Sequence, residues 1–453
     1  YKFCRGIAWQ PEVVARRIIS WLSHSNLLLD DTGPDQHAMY MHSLTKNIRV
    51  LSGLFAQAHD GYPRIVSLLA LVLAGLCIDQ QDKLIDDNLK RLCFELDRQI
   101  DEQGAHISRN PDVCSSLLLD LLPMKQCFSP RHQEPPESIL KTIDRMLSFL
   151  KFVRLGDGAL AHFNGVSFTK PDVLGTVMSY DESVPLNDGA MAASGYIRMQ
   201  SHSSILLMDA GELPSLAYSD SAGAGSLAFE LSRGIWPVFV NCGAPNATNT
   251  NWRLQSRMTS NHNTLTIEDS SSSQLVKTPS LAQTSDRWLL RGPAEIEVKP
   301  MSNASELQVK ASHDGYRNKY GIIFERFLSL GESGTVLKGE EFLRSVDQKK
   351  TSEITSKWPF KWHFHIHPDV RVMRNENPHQ VILELKNGER WLFESELAAD
   401  LEESLHLATI REPRKSIRIV LRMANQKNTK MNWILRLVAS GQQVEESPPP
   451  KAD

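Results

Sequence analysis

The chain has 453 residues, 41% hydrophobic and 23% charged, a balance that excludes a disordered or collagen-like chain and allows two or three folded domains. Fifty Lys and Arg oppose 53 Asp and Glu, a net charge of −3, so there is no global basic field to hold nucleic acid or an anionic membrane. An anionic partner must be met by local groups.

From the N-terminus the chain reads as helix after helix. Pro11 stands where a first helical turn tolerates it, and Val14, Ile18, Trp21 and Leu22 recur on one face. The same period returns in Leu44, Ile48, Leu51 and Phe55, in Ile85, Leu89, Leu92, Leu96 and Ile100, and in Ile139, Ile143, Met146, Leu147 and Leu150. Such stripes are buried only against one another, which implies a bundle or an array of helical hairpins. The longest apolar run, Ile65 to Ile78, is interrupted by Ser67 and Gly75 and is shorter than the roughly 18 residues of a membrane span, so it reads as a core helix.

After the Gly156-Asp157-Gly158 turn and a loop-like stretch near Pro171 to Asn187, short alternating segments take over. Ser204 to Met208, Trp236 to Val240, Asn263 to Glu268, Ala294 to Val298, Gly321 to Leu328, Trp362 to His367, Val381 to Leu385, Ile417 to Leu421 and Trp433 to Leu437 read as strands. The expected organisation is a helical domain over 1–185, a large antiparallel β-sandwich over 186–440 and a disordered tail over 441–453 that carries Pro448, Pro449 and Pro450. The six cysteines (Cys4, Cys77, Cys93, Cys114, Cys127, Cys242) form no C-x-x-C pattern, so buried free thiols are expected and not a zinc ribbon or disulfide framework. The chain opens at Tyr1 and not at Met, which leads us to expect a preceding segment. A signal peptide there would mean periplasm or envelope; without one the expected compartment is the cytoplasm.

Three stretches carry side chains that a core does not need. Gln103 to Pro111 sets His106, Arg109 and Asn110 within five positions; they either point into a cleft or cap the next helix. Asn251 to Ile267 runs from an Asn-rich loop into a strand and carries His262, an acid, base or ligand, or else a partner of the loop backbone. In Trp362 to Pro368, His363, His365 and His367 share one strand face, read as a polar outer face because nearly 7 Å separates neighbours and no acidic or thiol partner is evident. A fourth segment, Tyr218 to Ser232, is rich in Gly and Ala but lacks a P-loop lysine.

The order of these segments resembles the bacterial heparinase II/III-like family of polysaccharide lyases, over nearly the whole chain. The resemblance rests on Ser219 to Leu231, Val240-Asn241-Cys242-Gly243, Thr259 to Leu265 with Thr259, His262, Asn263, Thr264 and Leu265 in place, and Tyr320 to Arg326. It implies an α+β multidomain chain, an incomplete (α/α) toroid of helical hairpins followed by the sandwich, acting on an acidic, uronate-containing glycan by β-elimination in the cleft between them. It further implies that Asn110 and Arg109 neutralise the sugar carboxylate beside His106, and that His262 approaches as acid, base or orienting group. Tyr218, or failing that Tyr180, supplies the hydroxyl, and Arg257 and Asn164 contact the glycan, unless Asn164 only supplies a turn.

Zinc-bearing relatives would place their ligands at Gly223, Asn241 and His262. Glycine offers no ligand atom and an amide is a weak one, so no metal or other cofactor is expected. The loss at Gly223 also raises the alternative of a glycan-binding or envelope-associated protein that kept the fold with reduced catalysis. A glycoside hydrolase would need two opposed carboxylates, and no such pair stands out.

Overall fold

The computed structural model describes residues 6–246, 250–278, 287–303, 306–346, 358–423 and 430–439. The tail expected over 441–453 and Cys4 lie outside them. The helical half comprises α1 (Pro11–Ser23), α2 (Ser25–Leu29), α3 (Pro34–Leu54), α4 (Tyr62–Cys77), α5 (Asp82–Gln99), α6 (Pro111–Gln126), α7 (Glu137–Phe152) and α8 (Pro171–Met178). Proline opens α1, α3, α6 and α8, where its fixed φ suits the first turn and its missing N–H costs nothing. In α4 every residue from Ile65 to Leu76 is buried, and the helix packs between α1 and α5. A Cβ on Gly75 would lie 2.7 Å from Ile85 Cγ1, so glycine sets how closely α4 and α5 approach. The stretch expected as a loop near 171–187 holds α8 instead; only Leu174 and Val177 bury there, too brief a stripe to register as periodic.

All registered strand pairs are antiparallel. The first sheet runs in chain order: β1 (Gly189–Ala193), β2 (Tyr196–Ser201), β3 (Ser204–Asp209), β4 (Phe229–Arg233) and β5 (Trp236–Phe239). Its two faces serve two cores, because side chains alternate along a strand. Tyr196, Leu207 and Ala228 join the helical core, whereas Ile197, Met199, Leu206 and Met208 join the core of the sandwich. Arg198 also faces the helices, donating to the carbonyls of Phe152 (2.9 Å) and Arg154 (2.7 Å) past the end of α7.

An eight-stranded sheet, a four-stranded sheet and a two-stranded sheet make up the rest of the sandwich half among the described residues. Within it Arg326 and Glu341 form an ion pair at 3.0 Å with neither side chain exposed. Arg326 Nη1 also donates to the carbonyls of Leu227 and Asn263, both at 2.7 Å, so this pair fixes two loops that matter below. The histidine face of strand Phe360–His365 departs from expectation: His363 and His365 are each 2% exposed. His365 is covered by Ser404 and the carbonyl of Ser260, which come from distant parts of the chain.

Candidate functional site

Asn110 is the N-cap of α6. Its Oδ1 accepts from the Asp112 N–H at 3.0 Å, while Nδ2 lies 3.4 Å from Ser221 Oγ, across the boundary between helices and sheets. The cap uses one end of the amide and leaves its donor end aimed at a loop of the other half. Asp112, in the same first turn, is pushed up to about 6 by burial, against a hydrogen bond from the Ser167 N–H.

Arg109 adopts a left-handed φ of 56° and points away from Asn110 into the first sheet. It pairs with Asp209 at 2.7 Å and donates to the carbonyls of Ser194, Gly195, Gly211 and Glu212, its guanidinium 4.5 Å from the Tyr196 ring centre. Asn164, also left-handed at φ 52°, joins the same cluster: Nδ2 donates to Tyr196 Oη (2.8 Å) and Asp209 Oδ2 (3.0 Å). Tyr196 Oη in turn donates to the Arg109 carbonyl at 2.5 Å. Two residues of the helical half and two of the sheet thus form one buried polar rivet.

His106 is likewise enclosed. Its Nε2 donates to Gln99 Oε1 at 3.0 Å and its Nδ1 accepts from Ser108, and burial lowers the ring to about 4, so it is neutral at pH 7. Gln99 passes the chain of bonds to Glu95, which pairs with Arg98. Arg98 donates to Tyr218 Oη at 2.9 Å and pairs with Asp60, and Tyr218 Oη donates to Asp60 at 2.5 Å. Burial and the bond to Asp60 both raise the Tyr218 hydroxyl. Tyr180 lies apart, bonded to Gln126 at the end of α6.

His262 and Arg257 meet a single loop, 219–225. Arg257 donates to the carbonyls of Ala222, Ser219 and Trp288, each at 2.7 Å, and burial lowers it to about 10. Thr259 Oγ1 donates to the Ala224 carbonyl, Thr264 to that of Ser226 and Asn263 Nδ2 to that of Phe229. The polar residues around His262 therefore build the seat of this loop. His262 Nδ1 donates to the Met258 carbonyl at 2.9 Å, which leaves Nε2 as a lone pair, and burial lowers the ring. That edge faces glycine: a Cβ on Gly223 would lie 2.7 Å from Nε2, and one on Gly225 would lie 2.6 Å from Cδ2. Asn110 meets the loop at Ser221 and His262 meets it at Gly223 and Gly225, so the two singled-out residues flank one structure.

The residues at the zinc positions do not fit a metal. The His262 ring occupies the space a side chain at 223 would take, and Asn241 is spent, its Oδ1 accepting the Asn263 N–H at 2.9 Å and its backbone N–H donating to Glu230 at 2.7 Å. Among the described residues no group of three or more His, Cys, Asp or Glu is placed to hold a metal ion.

The family model described as heparinase II/III-like, C-terminal, matches residues 184–434, more than half of the chain. The chain belongs to the heparinase II/III-like family. It is 27% identical over 402 residues to the FtsZ-localized protein C of Caulobacter vibrioides, covering 88% of this chain and 68% of that one. A structure of a heparinase III, the BT4657 gene product, superposes with a TM-score of 0.71 at 13% identity over 95% of this chain and 68% of that chain. The heparan sulfate lyase HepC of Pedobacter heparinus gives 0.67 at 13% identity, over 96% and 69%. The two solved structures share this chain's fold, an (α/α) toroid joined to a β-sandwich.

Sequence reasoning missed several members of this heparinase-like junction. Asp112 was readable from Asn110-Pro111-Asp112, a capped helix start that puts an acid in the first turn. His162, paired with Glu230 at 3.2 Å, adjoins Phe163-Asn164-Gly165; burial would lower the ring, but the Glu230 charge raises it. Tyr196 and Asp209, the partners of Arg109, left no local signal.

Proposed function

We propose that this member of the heparinase-like family recognises an acidic glycan at the junction of helices and sheets, with the elimination chemistry of a lyase reduced and without zinc. The observation that supports this reading is the commitment of its cations and hydroxyls. A uronate lyase must neutralise the sugar carboxylate where enolate charge develops, remove the C5 proton and protonate the departing O4. Arg109 is engaged by Asp209 and four carbonyls, and Arg257 by three carbonyls. The hydroxyls of Tyr218 and Tyr196 donate to Asp60 and to the Arg109 carbonyl. Less committed are Asn110 Nδ2, which reaches only Ser221 Oγ at 3.4 Å, and the His262 Nε2 lone pair, suited to a carboxylate and a hydroxyl of a bound sugar. The C. vibrioides relative is named for localising with FtsZ, and a glycan-binding role at the bacterial envelope accords with that name.

Active elimination is the second reading, favoured by one feature: neutral His262 presents Nε2 as a base on the loop that Asn110 also touches. Titration of the protein with a panel of uronate polymers separates the two. Binding by calorimetry without new absorbance at the ultraviolet edge is the expected result. Growth of unsaturated ends would establish a lyase, and the absence of binding to every polymer would end the glycan reading.

A further inference from the structure

A cavity of about 250 Å³ opens beside the β4–β5 hairpin, and none of the residues lining it belongs to the 219–225 loop, its seat or the Arg109 cluster. The hairpin supplies Ile235, Trp236 and Pro237, and Asp157 comes from the turn after α7. His367 and Asp369 reach the cavity because strand Phe360–His365 runs on along β5: Ile366 bridges to Phe239, and the His367 N–H donates to the Val238 carbonyl at 3.0 Å. Lys386, in the turn after strand Gln380–Glu384, and Arg414, at the start of strand Arg414–Met423, pair with the two oxygens of Asp369 at 2.9 and 2.5 Å. Asp157 accepts the Ala159 N–H at 2.9 Å and is in no ion pair among the described residues. Burial lowers His367 to about 4, so its ring is neutral at pH 7. Its Nδ1 accepts the Asp369 N–H at 3.2 Å, which puts the proton on Nε2, and that N–H has no hydrogen-bond partner among the described residues. Two cations thus meet two carboxylates beside a neutral imidazole, and the wall carries no net charge.

We propose that this cavity binds a single uncharged pyranose sugar, at a site separate from the junction and independent of it. The volume lies just below the roughly 300 to 1,000 Å³ of pockets for drug-sized ligands, which suits one ring. A pyranose has an apolar C–H face and a rim of hydroxyls. The apolar face fits against Trp236, with Ile235 and Pro237 beside it. Ile235 is 58% exposed, so a large apolar side chain is left uncovered at this rim. Hydroxyls donate and accept, and the polar wall offers both. His367 Nε2–H donates, as do the further N–H groups of Lys386 and Arg414, each about half exposed, while Asp157 and Asp369 accept. Charge selects against ions. A carboxylate on the sugar would face Asp157 and compete with Asp369 for its two cations, whereas a hydroxyl leaves those pairs intact.

The test titrates the full-length chain with glucose, galactose, mannose and N-acetylglucosamine, followed by saturation-transfer NMR, with glucuronate as the charged control. Millimolar binding of at least one uncharged sugar, with glucuronate weaker, is the expected result. Trp236→Ala weakens that binding tenfold or more and Lys386→Met several-fold, while Asn110→Asp leaves it unchanged. Affinity for uronate polymers follows the reverse pattern, so either site can fail without the other. Hydrogen exchange of the wild-type chain locates the sugar whether or not the variants fold: binding slows backbone amides over 233–239 and 366–370 and not those over 106–112. No binding of any of the four sugars at tens of millimolar, glucuronate binding as tightly as they do, or protection at 106–112 in place of the hairpin overturns the proposal.

Discussion

At the scale of single residues, side chains of the same chemical type divide into those that hold the molecule together and those left over. Arg109 is the clearest strut: its charge lies next to Asp209 at the boundary between helices and sheets. Burial disfavours the cation, but the Asp209 charge outweighs that and raises its pKa. Removing one partner of such a pair strands the other, so Arg109→Met should cost about 3 to 5 kcal/mol of stability in urea unfolding. A loss under about 1 kcal/mol would show that the arginine is not structural. Asn110 allows its two ends to be tested separately. Asn110→Asp keeps an oxygen to accept the Asp112 N–H but replaces the amide donor with a negative charge. Its unfolding midpoint should therefore stay near that of the wild type while affinity for uronate polymers falls roughly tenfold or more, about 1.4 kcal/mol. Unchanged binding would remove Asn110 from the site.

At the scale of elements, the contact of helices with sheets rests on close backbone approach. Gly156, in the turn after α7, donates its N–H to Ser232 Oγ at 3.0 Å and presses against the Gly234 carbonyl of the β4–β5 hairpin, where a Cβ would overlap that oxygen. Gly156→Ala should therefore lower stability by about 1 to 3 kcal/mol, visible as a lower melting temperature with helix content retained. An alanine variant as stable as wild type would mean that the turn relaxes freely. This explains what the sequence makes legible. The 3.6-residue period marks α1, α3, α5 and α7, and an opening proline marks α1, because those signals act within one helix. Asn110 as a cap and the Gly156 to Gly158 turn are legible for the same reason. The burial of His363 and His365 is hidden, since Ser260 and Ser404, which cover His365, lie about a hundred and forty positions apart in sequence. Arg109 gives no hint of its partner either: Asp209 is a hundred residues on. Residue type shows that chemistry is possible there, and only packing shows that it is already spent.

At the scale of the whole molecule, buried histidines set the response to acid. His106, His313 and His367 are lowered to about 4, His363 to about 3 and His406 to about 2, and His262 and His365 are lowered too, in each case chiefly by burial. An unfolded chain protonates such rings near pH 6.5 while the folded one does not, so stability is lost as pH falls from 6.5 toward 4, by at most roughly 1.4 kcal/mol per pH unit for each. His162 acts in the opposite sense. Raised by Glu230 against the effect of burial, it contributes fully below pH 6.5 and fades as pH rises through its folded value. Asp112, raised to about 6 by burial, also gains on the acid side as it takes up its proton. Burial raises Asp120 and Asp157 in the same sense. The seven lowered rings outnumber these four groups, so urea unfolding at pH 5 should give a lower free energy than at pH 7.5; an equal or higher value would show that the rings are not held neutral.

The first sheet gives up its outer face to the helices, with Tyr196 and Leu207 buried in their core. Scission near residue 185 would leave that face wet and greasy, so a recombinant fragment starting at β1 should precipitate or cling to chaperones. Any attempt to assign glycan recognition to one half by expressing it alone would then measure damage, and the two portions are better dissected by point changes in the intact chain.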